Sequence, residues 1–272
     1  MGDVADARSP VSVAGAPKRR TDGEMASVFG RRRNKDEPEP RPPQAHGAPV
    51  SADPLQAARL MADTVFDGLV KPLKLQRGVP TPVIVATLGA LAGHACQVAT
   101  LRGIATKSPD YRDLSIITVQ GKNGDRYLAG DAINRPVMEW QYSVWALVAG
   151  ITESLGVPRP DLHELAGHVA STVGSATFGI PRDLPPGGTT PRSALALWGL
   201  GEALVSDIPH PDYVPVCFAL AYQRLVQTEN AFDPTVDVAA LARIMMESTI
   251  AMSKLEAKPE ELGRLPEPTA PR

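Results

Sequence analysis

The sequence predicts a mainly α protein: a single multi-helix domain over 51–256 with one inserted β-hairpin near 114–130, between disordered tails over 1–50 and 257–272. Three observations predict it. Apolar residues recur at helical spacing through most of the middle of the chain, Pro and Gly fall between those periodic runs, and one segment alone changes to a β-branched pattern split by a Gly/Asn turn. With 272 residues, 43% of them apolar, the chain can bury the core of one large domain.

Residues 1–50 mix Pro, Gly, Ala and charge with few large apolar groups, so burial there cannot offset the entropy of ordering. Their nine Lys and Arg nearly cancel against seven Asp and Glu. Only Met25–Gly30, MASVFG, has an apolar centre. The domain begins where Asp53 supplies an N-cap and Pro54 fits the first helical turn, with Leu55, Ala58, Leu60, Met61, Val65 and Leu69 on helical spacing. The next helix, from about Thr81 to Arg102, is apolar nearly all round, which predicts burial on several sides. Its uninterrupted apolar part is about 14 residues, short of the ~20 that a membrane span requires. Within it, Gly89 and Gly93 form a small-xxx-small pair that lets another helix approach closely.

LSIITVQ, GKNG and DRYLAG then read as strand, turn and strand. The segment from Asp131 to Gly156 predicts one long helix, capped near Asn134 or Arg135, with Pro136 in its first turn and Gly156 ending it. Further helices are expected over 161–178, 190–206, 211–228 and 236–255, with the Pro- and Gly-rich stretches GIPRDLPPGG and SDIPHPD stopping two of them. No fixed-period repeat is present.

The motifs that suggest chemistry mostly favour structural roles. HELAGH, His163–His168, resembles a zinc-protease signature, but its histidines are five residues apart, and at ~100° per residue they diverge by about 140° around a helix. Asp161 and Glu164 have near-capping-box spacing, which gives the glutamate a structural purpose. WGLGEAL lacks a third glycine and a preceding strand, GSATFG lacks nucleophile-elbow spacing, and no Walker sequence or zinc-spaced Cys/His set occurs. No cofactor or metal is therefore expected. Cys96 and Cys217 sit in apolar helical contexts, and two cysteines exclude a disulfide framework. A net charge of −2 gives no global attraction to nucleic acid or anionic lipid. The opening MGDVADARSP places acids where an export signal needs bases, so the cytoplasm is the expected compartment. Ala, Arg and Pro usage with little Asn suggests a GC-rich bacterial source.

The first functional expectation is a non-catalytic cytoplasmic protein-interaction or regulatory protein. Its tail or hairpin edge would engage another protein, with a homo-oligomer also possible. The second is an enzyme or small anionic-ligand binder with a pocket between the central helix and the hairpin, lined by His94, Asp131, Asn134 and Arg135. Burial would keep His94 neutral, and helix-start amides beside Arg135 favour anions. In the structural alternative His94 donates to a carbonyl, Asp131 and Asn134 cap the helix, and Arg135 pairs with Asp131. A third expectation is nucleic-acid association through Arg31, Arg32 and Arg33.

Overall fold

Helix α1 (Pro54–Val65) starts as expected, the Asp53 carboxylate accepting from the Leu55 amide at 3.0 Å. Two π-helical turns, Phe66–Val70 and Pro72–Gln76, carry the chain on, because Pro72 has no N–H to continue an α-helical ladder. The computed structural model describes residues 53–263. The tail over 1–50, with Met25–Gly30 and Arg31–Arg33, lies outside the described residues.

Helix α2 (Thr81–Ala105) is the centre of the molecule, with 18 of its 25 residues buried. It is long and apolar enough to cross a bilayer, but 94% of its most apolar window is covered by this chain. Helix α9 (Val238–Lys254) lies against it. A Cβ on Gly89 would stand 2.6 Å from the Met245 carbonyl oxygen, and one on Gly93 2.4 Å from that of Thr249. The two backbones therefore touch where the small-xxx-small spacing anticipates a close approach. The Thr249 hydroxyl donates to the Gly89 carbonyl at 3.2 Å, and Gln97 Nε2 donates to the Ser253 and Leu255 carbonyls at 3.2 and 2.8 Å. Helix α8 (Val214–Phe232) completes the core with Phe218, Tyr222 and Leu225.

Strands β1 (Ile117–Gln120) and β2 (Arg126–Ala129) form the expected antiparallel hairpin, pairing Ile117 with Ala129 and Gln120 with Arg126. Gly124 turns it at φ +83°, a conformation glycine adopts without strain. The mainly helical fold with one hairpin is thus as the sequence predicts.

Several boundaries differ. The long helix expected after Asp131 is three pieces: α3 (Asp131–Asn134), a π-helical turn over Arg135–Glu139, and α4 (Val144–Ser154). Pro136 removes an amide donor near the start, Trp140 takes an extended conformation, and Ser143 caps a fresh helix by accepting from the Ala146 amide at 3.2 Å. Helix α5 (Leu162–Ser171) ends short of 178, with Gly174 at φ +78° just beyond. The 190–206 span divides into α6 (Pro191–Ala194), a 3-10 turn and α7 (Trp198–Leu204). Residues 257–263, expected as tail, lie on the body instead. Arg192 bonds both Asp125 (2.7 and 3.0 Å) and Glu261 (3.0 and 2.7 Å), and the Gly199 amide donates to the Gly263 carbonyl at 2.8 Å.

Candidate docking groove and the polar clusters around it

The residues singled out from sequence are placed apart. His94 is 95% buried on α2, its ring edge-on to Trp198 of α7 at 4.6 Å between centroids. Its Nδ1 has no hydrogen-bond partner among the described residues. Burial depresses its pKa to about 4 and keeps the ring neutral. The α2 side that faces α3 is marked by Thr100, whose hydroxyl donates to the Ala132 carbonyl at 3.3 Å. Thr100 is six residues on from His94, about 120° around the helix.

At the hairpin exit, Gly130 rather than Asp131 is the N-cap of α3, with φ +121°. Asp131 is exposed and is the first residue of the helix. Arg135 pairs with Asp110 at 3.0 Å and lies over the Tyr111 ring at 5.7 Å, not with Asp131. Asn134 accepts from Lys254 Nζ at 3.2 Å. None of the four cavities described below is lined by these four residues.

The histidine motif resolves into a charge cluster. Asp161 caps α5, accepting from the His163 and Glu164 amides at 2.8 and 3.3 Å. Glu164 reaches Arg182 instead of His168. Arg182 in turn holds Glu247, only 2% exposed on α9, through its own amide at 2.9 Å and its Nε at 2.7 Å. This pairing supplies the hydrogen bonds a buried carboxylate requires. Among the described residues no group of three or more His, Cys, Asp or Glu side chains is arranged to hold a metal ion. The thiols are not nucleophiles near neutral pH, since burial pushes Cys96 up strongly and Cys217 to about 12.

A second cluster escaped sequence reading. Asp212, nearly buried, accepts from the Tyr111 hydroxyl at 3.0 Å and lies 3.8 Å from His210 Nδ1. Burial raises its carboxyl pKa, opposed by the Tyr111 hydrogen bond. The tripeptide Pro-Asp-Tyr occurs at 109–111 and again at 211–213, each time as a 3-10 turn. The bond joins these two turns and closes 101 residues of chain. Its geometry is that of a latch.

Several cavities open on the surface among the described residues. Two flank α7, share Trp198, Glu202 and Ser206, and have mixed polar and apolar walls. One lies beside Trp145 and Arg159. Another, about 370 Å3, is a groove between the π-helical turns after α1 and the last turns of α8. Its walls are Phe66, Val70, Leu75, Leu225 and Phe232. Phe232 is 86% exposed and Leu75 76%, the two most exposed large apolar side chains among the described residues.

The charges on its rim are unequal. Lys71 is paired with Asp67 at 2.7 Å, and Lys74 with Glu229, which also accepts from the Thr81 hydroxyl at 2.8 Å. Asp233 has no cation partner among the described residues. Its carboxylate accepts from the hydroxyl and amide of Thr235 at 2.6 and 2.9 Å, and these bonds hold its pKa below the ordinary value. The groove therefore offers apolar walls and one ionised, uncompensated acid.

Compared with protein-family models, with curated proteins and with solved structures, the chain matches none.

Proposed function

We propose that this protein is a non-catalytic protein-interaction or regulatory protein, and that the groove at the ends of α1 and α8 is its docking surface. The observation that carries this reading is the pairing of Phe232 and Leu75 on one concave apolar site. Each side chain left in water forgoes about 2 kcal/mol of burial. Single exposed apolar residues are ordinary, but two of them flanking a groove in the size range of binding sites mark an interaction surface. The occupant this chemistry fits is a protein segment with one or two large apolar side chains and a Lys or Arg beside them. The apolar groups would fill the groove, and the cation would meet Asp233, since both rim lysines are already paired.

The test is a photo-crosslinking amino acid placed, in the full chain in its source cells, at position 75, at position 232, and at Arg159 as an exposed control. The expected result is one partner captured from both groove positions and not from 159, through a cross-linked peptide containing large apolar residues and a cation. Equal capture at 159, or none at 75 and 232, would overturn the reading.

A further inference from the structure

The two edges of the hairpin are treated differently by the fold. The outer edge of β2 is covered: Tyr127 forms a bridge with Leu255, and the Glu256 amide donates to the Arg126 carbonyl at 2.9 Å. Among the described residues no strand pairs with the outer edge of β1, since the sheet contains β1 and β2 only. All four β1 residues are exposed, Ile117 at 59% and Val119 at 44%. Natural edge strands are blunted against pairing with another chain by Lys, Pro, a bulge or very short length, and β1, with four residues, has only the last of these. The sequence Ile-Thr-Val-Gln has neither Lys nor Pro, and its register with β2 runs without a bulge.

We propose that β1 is a self-association edge, pairing antiparallel with β1 of a second copy of this chain about a two-fold axis through Thr118. The register follows from pleat geometry. Residues opposite each other in an antiparallel pair share a face, so under a two-fold axis perpendicular to the sheet their numbers sum to an even value. Centring on Thr118 sets Ile117 opposite Val119 of the second copy, twice, and Thr118 opposite itself. These are β-branched cross-strand pairs of the stabilising kind. Centring on Val119 would instead oppose Ile117 to Gly121 and Thr118 to Gln120. Residues 116–120 carry no charge, so the favoured register opposes no like charges.

The face so extended is already apolar. Val119 sits across from Tyr127 in the hairpin, and the Tyr127 ring packs edge-on against Phe178 at 4.9 Å. Pairing would make a four-stranded sheet, with that face continuous across the two copies. An isologous contact of this kind is closed by its own symmetry and does not propagate into a fibre.

The experiment is sedimentation equilibrium on the full chain up to about 100 μM, a range that resolves weak dimers, with two double variants checked for folding by circular dichroism. Ile117→Lys with Val119→Lys sets like charges opposite in both cross-copy pairs, and the dimer is expected to weaken by about tenfold or more. Ile117→Lys with Val119→Glu sets opposite charges at the same positions, and the dimer is expected to persist. A single Thr118→Cys substitution should oxidise to a covalent dimer faster than Gln120→Cys, because only position 118 meets itself. A monomeric wild-type chain overturns the proposal. So does a dimer that the Lys/Lys variant leaves intact, or one that both double variants abolish equally. A partner cross-linked at position 75 or 232 would leave the docking groove standing whatever these results are.

Discussion

The seam between α2 and α9 and the groove between α1 and α8 are both contacts of apolar helical surface, finished in opposite ways. At the seam the backbones meet at Gly89 and Gly93, and Met245 and Ile244 are at most 1% exposed. At the groove the walls diverge, and Phe232 and Leu75 remain in solvent. The seam residues have small side chains on one helix and flexible methionines on the other, so surfaces close to contact distance. In the groove, the wide π-helical turns after α1 and the end of α8 leave Leu75 and Phe232 uncovered by any other described element. Stability is concentrated at the first region, and apolar surface is left available at the second.

The largest expected effect breaks the seam. In Gly93→Ala the new Cβ would meet the Thr249 carbonyl oxygen at 2.4 Å and the Ser253 amide nitrogen at 2.9 Å. Both are backbone atoms, so a helix must move. A loss of about 3 kcal/mol is expected in urea unfolding. The same change at Gly150 of α4, where a Cβ meets nothing within 4 Å, should instead stabilise by about 0.5–1 kcal/mol through helix propensity. Equal losses at both positions would show that the seam is no tighter than an ordinary helix surface.

A pH measurement sharpens the comparison from inside the core. Folding lowers the pKa of His94 from 6.5 to about 4. Between those values the unfolded chain binds a proton that the folded chain does not, so stability is full above pH 6.5 and is lost as pH falls toward 4. The shift corresponds to about 3 kcal/mol at most. His94→Leu should remove this component, and the wild-type minus variant stability difference should shrink as pH falls through that window. A difference independent of pH would mean that the ring is hydrated or partnered in solution.

What could be read from the sequence divides along similar lines. The start of α1, the burial of α2, the close approach at Gly89 and Gly93, and the hairpin turn are local signals, each expressed within a few residues. The break at Trp140–Ser143 was not legible, because Pro136 fits equally well in the first turn of a continuing helix. Ser143 becomes a cap only once Trp140 is extended. The docking of 257–263 depends on Arg192 meeting Glu261 across 69 residues, and the Tyr111–Asp212 latch depends on two turns 101 residues apart. The repeated Pro-Asp-Tyr is the one local feature that could have drawn notice to those two turns, and it says nothing of their pairing. Arg135 was expected to pair with the nearest acid in sequence, Asp131, but the fold brings Asp110 closer. As for the groove, the sequence places Leu225 in a helix expected to end at 228 and leaves Phe232 in the break beyond it, so the extension of α8 to Phe232 that completes the groove was not legible.

The smallest expected effect bears most directly on function. A core phenylalanine such as Phe218, fully buried on α8, should lose about 3–5 kcal/mol when truncated to alanine. Phe232 lies on the same helix but is 86% exposed. Phe232→Ser and Leu75→Ser should therefore each change stability by less than about 0.5 kcal/mol, as surface substitutions do. If so, these side chains contribute little to holding the monomer together, and the physical reason for large apolar groups at those positions is a contact made with something else. A loss above about 1.5 kcal/mol at Phe232 would instead place it in the folded core, and the groove would then be an extension of the α1–α8 packing rather than a docking surface.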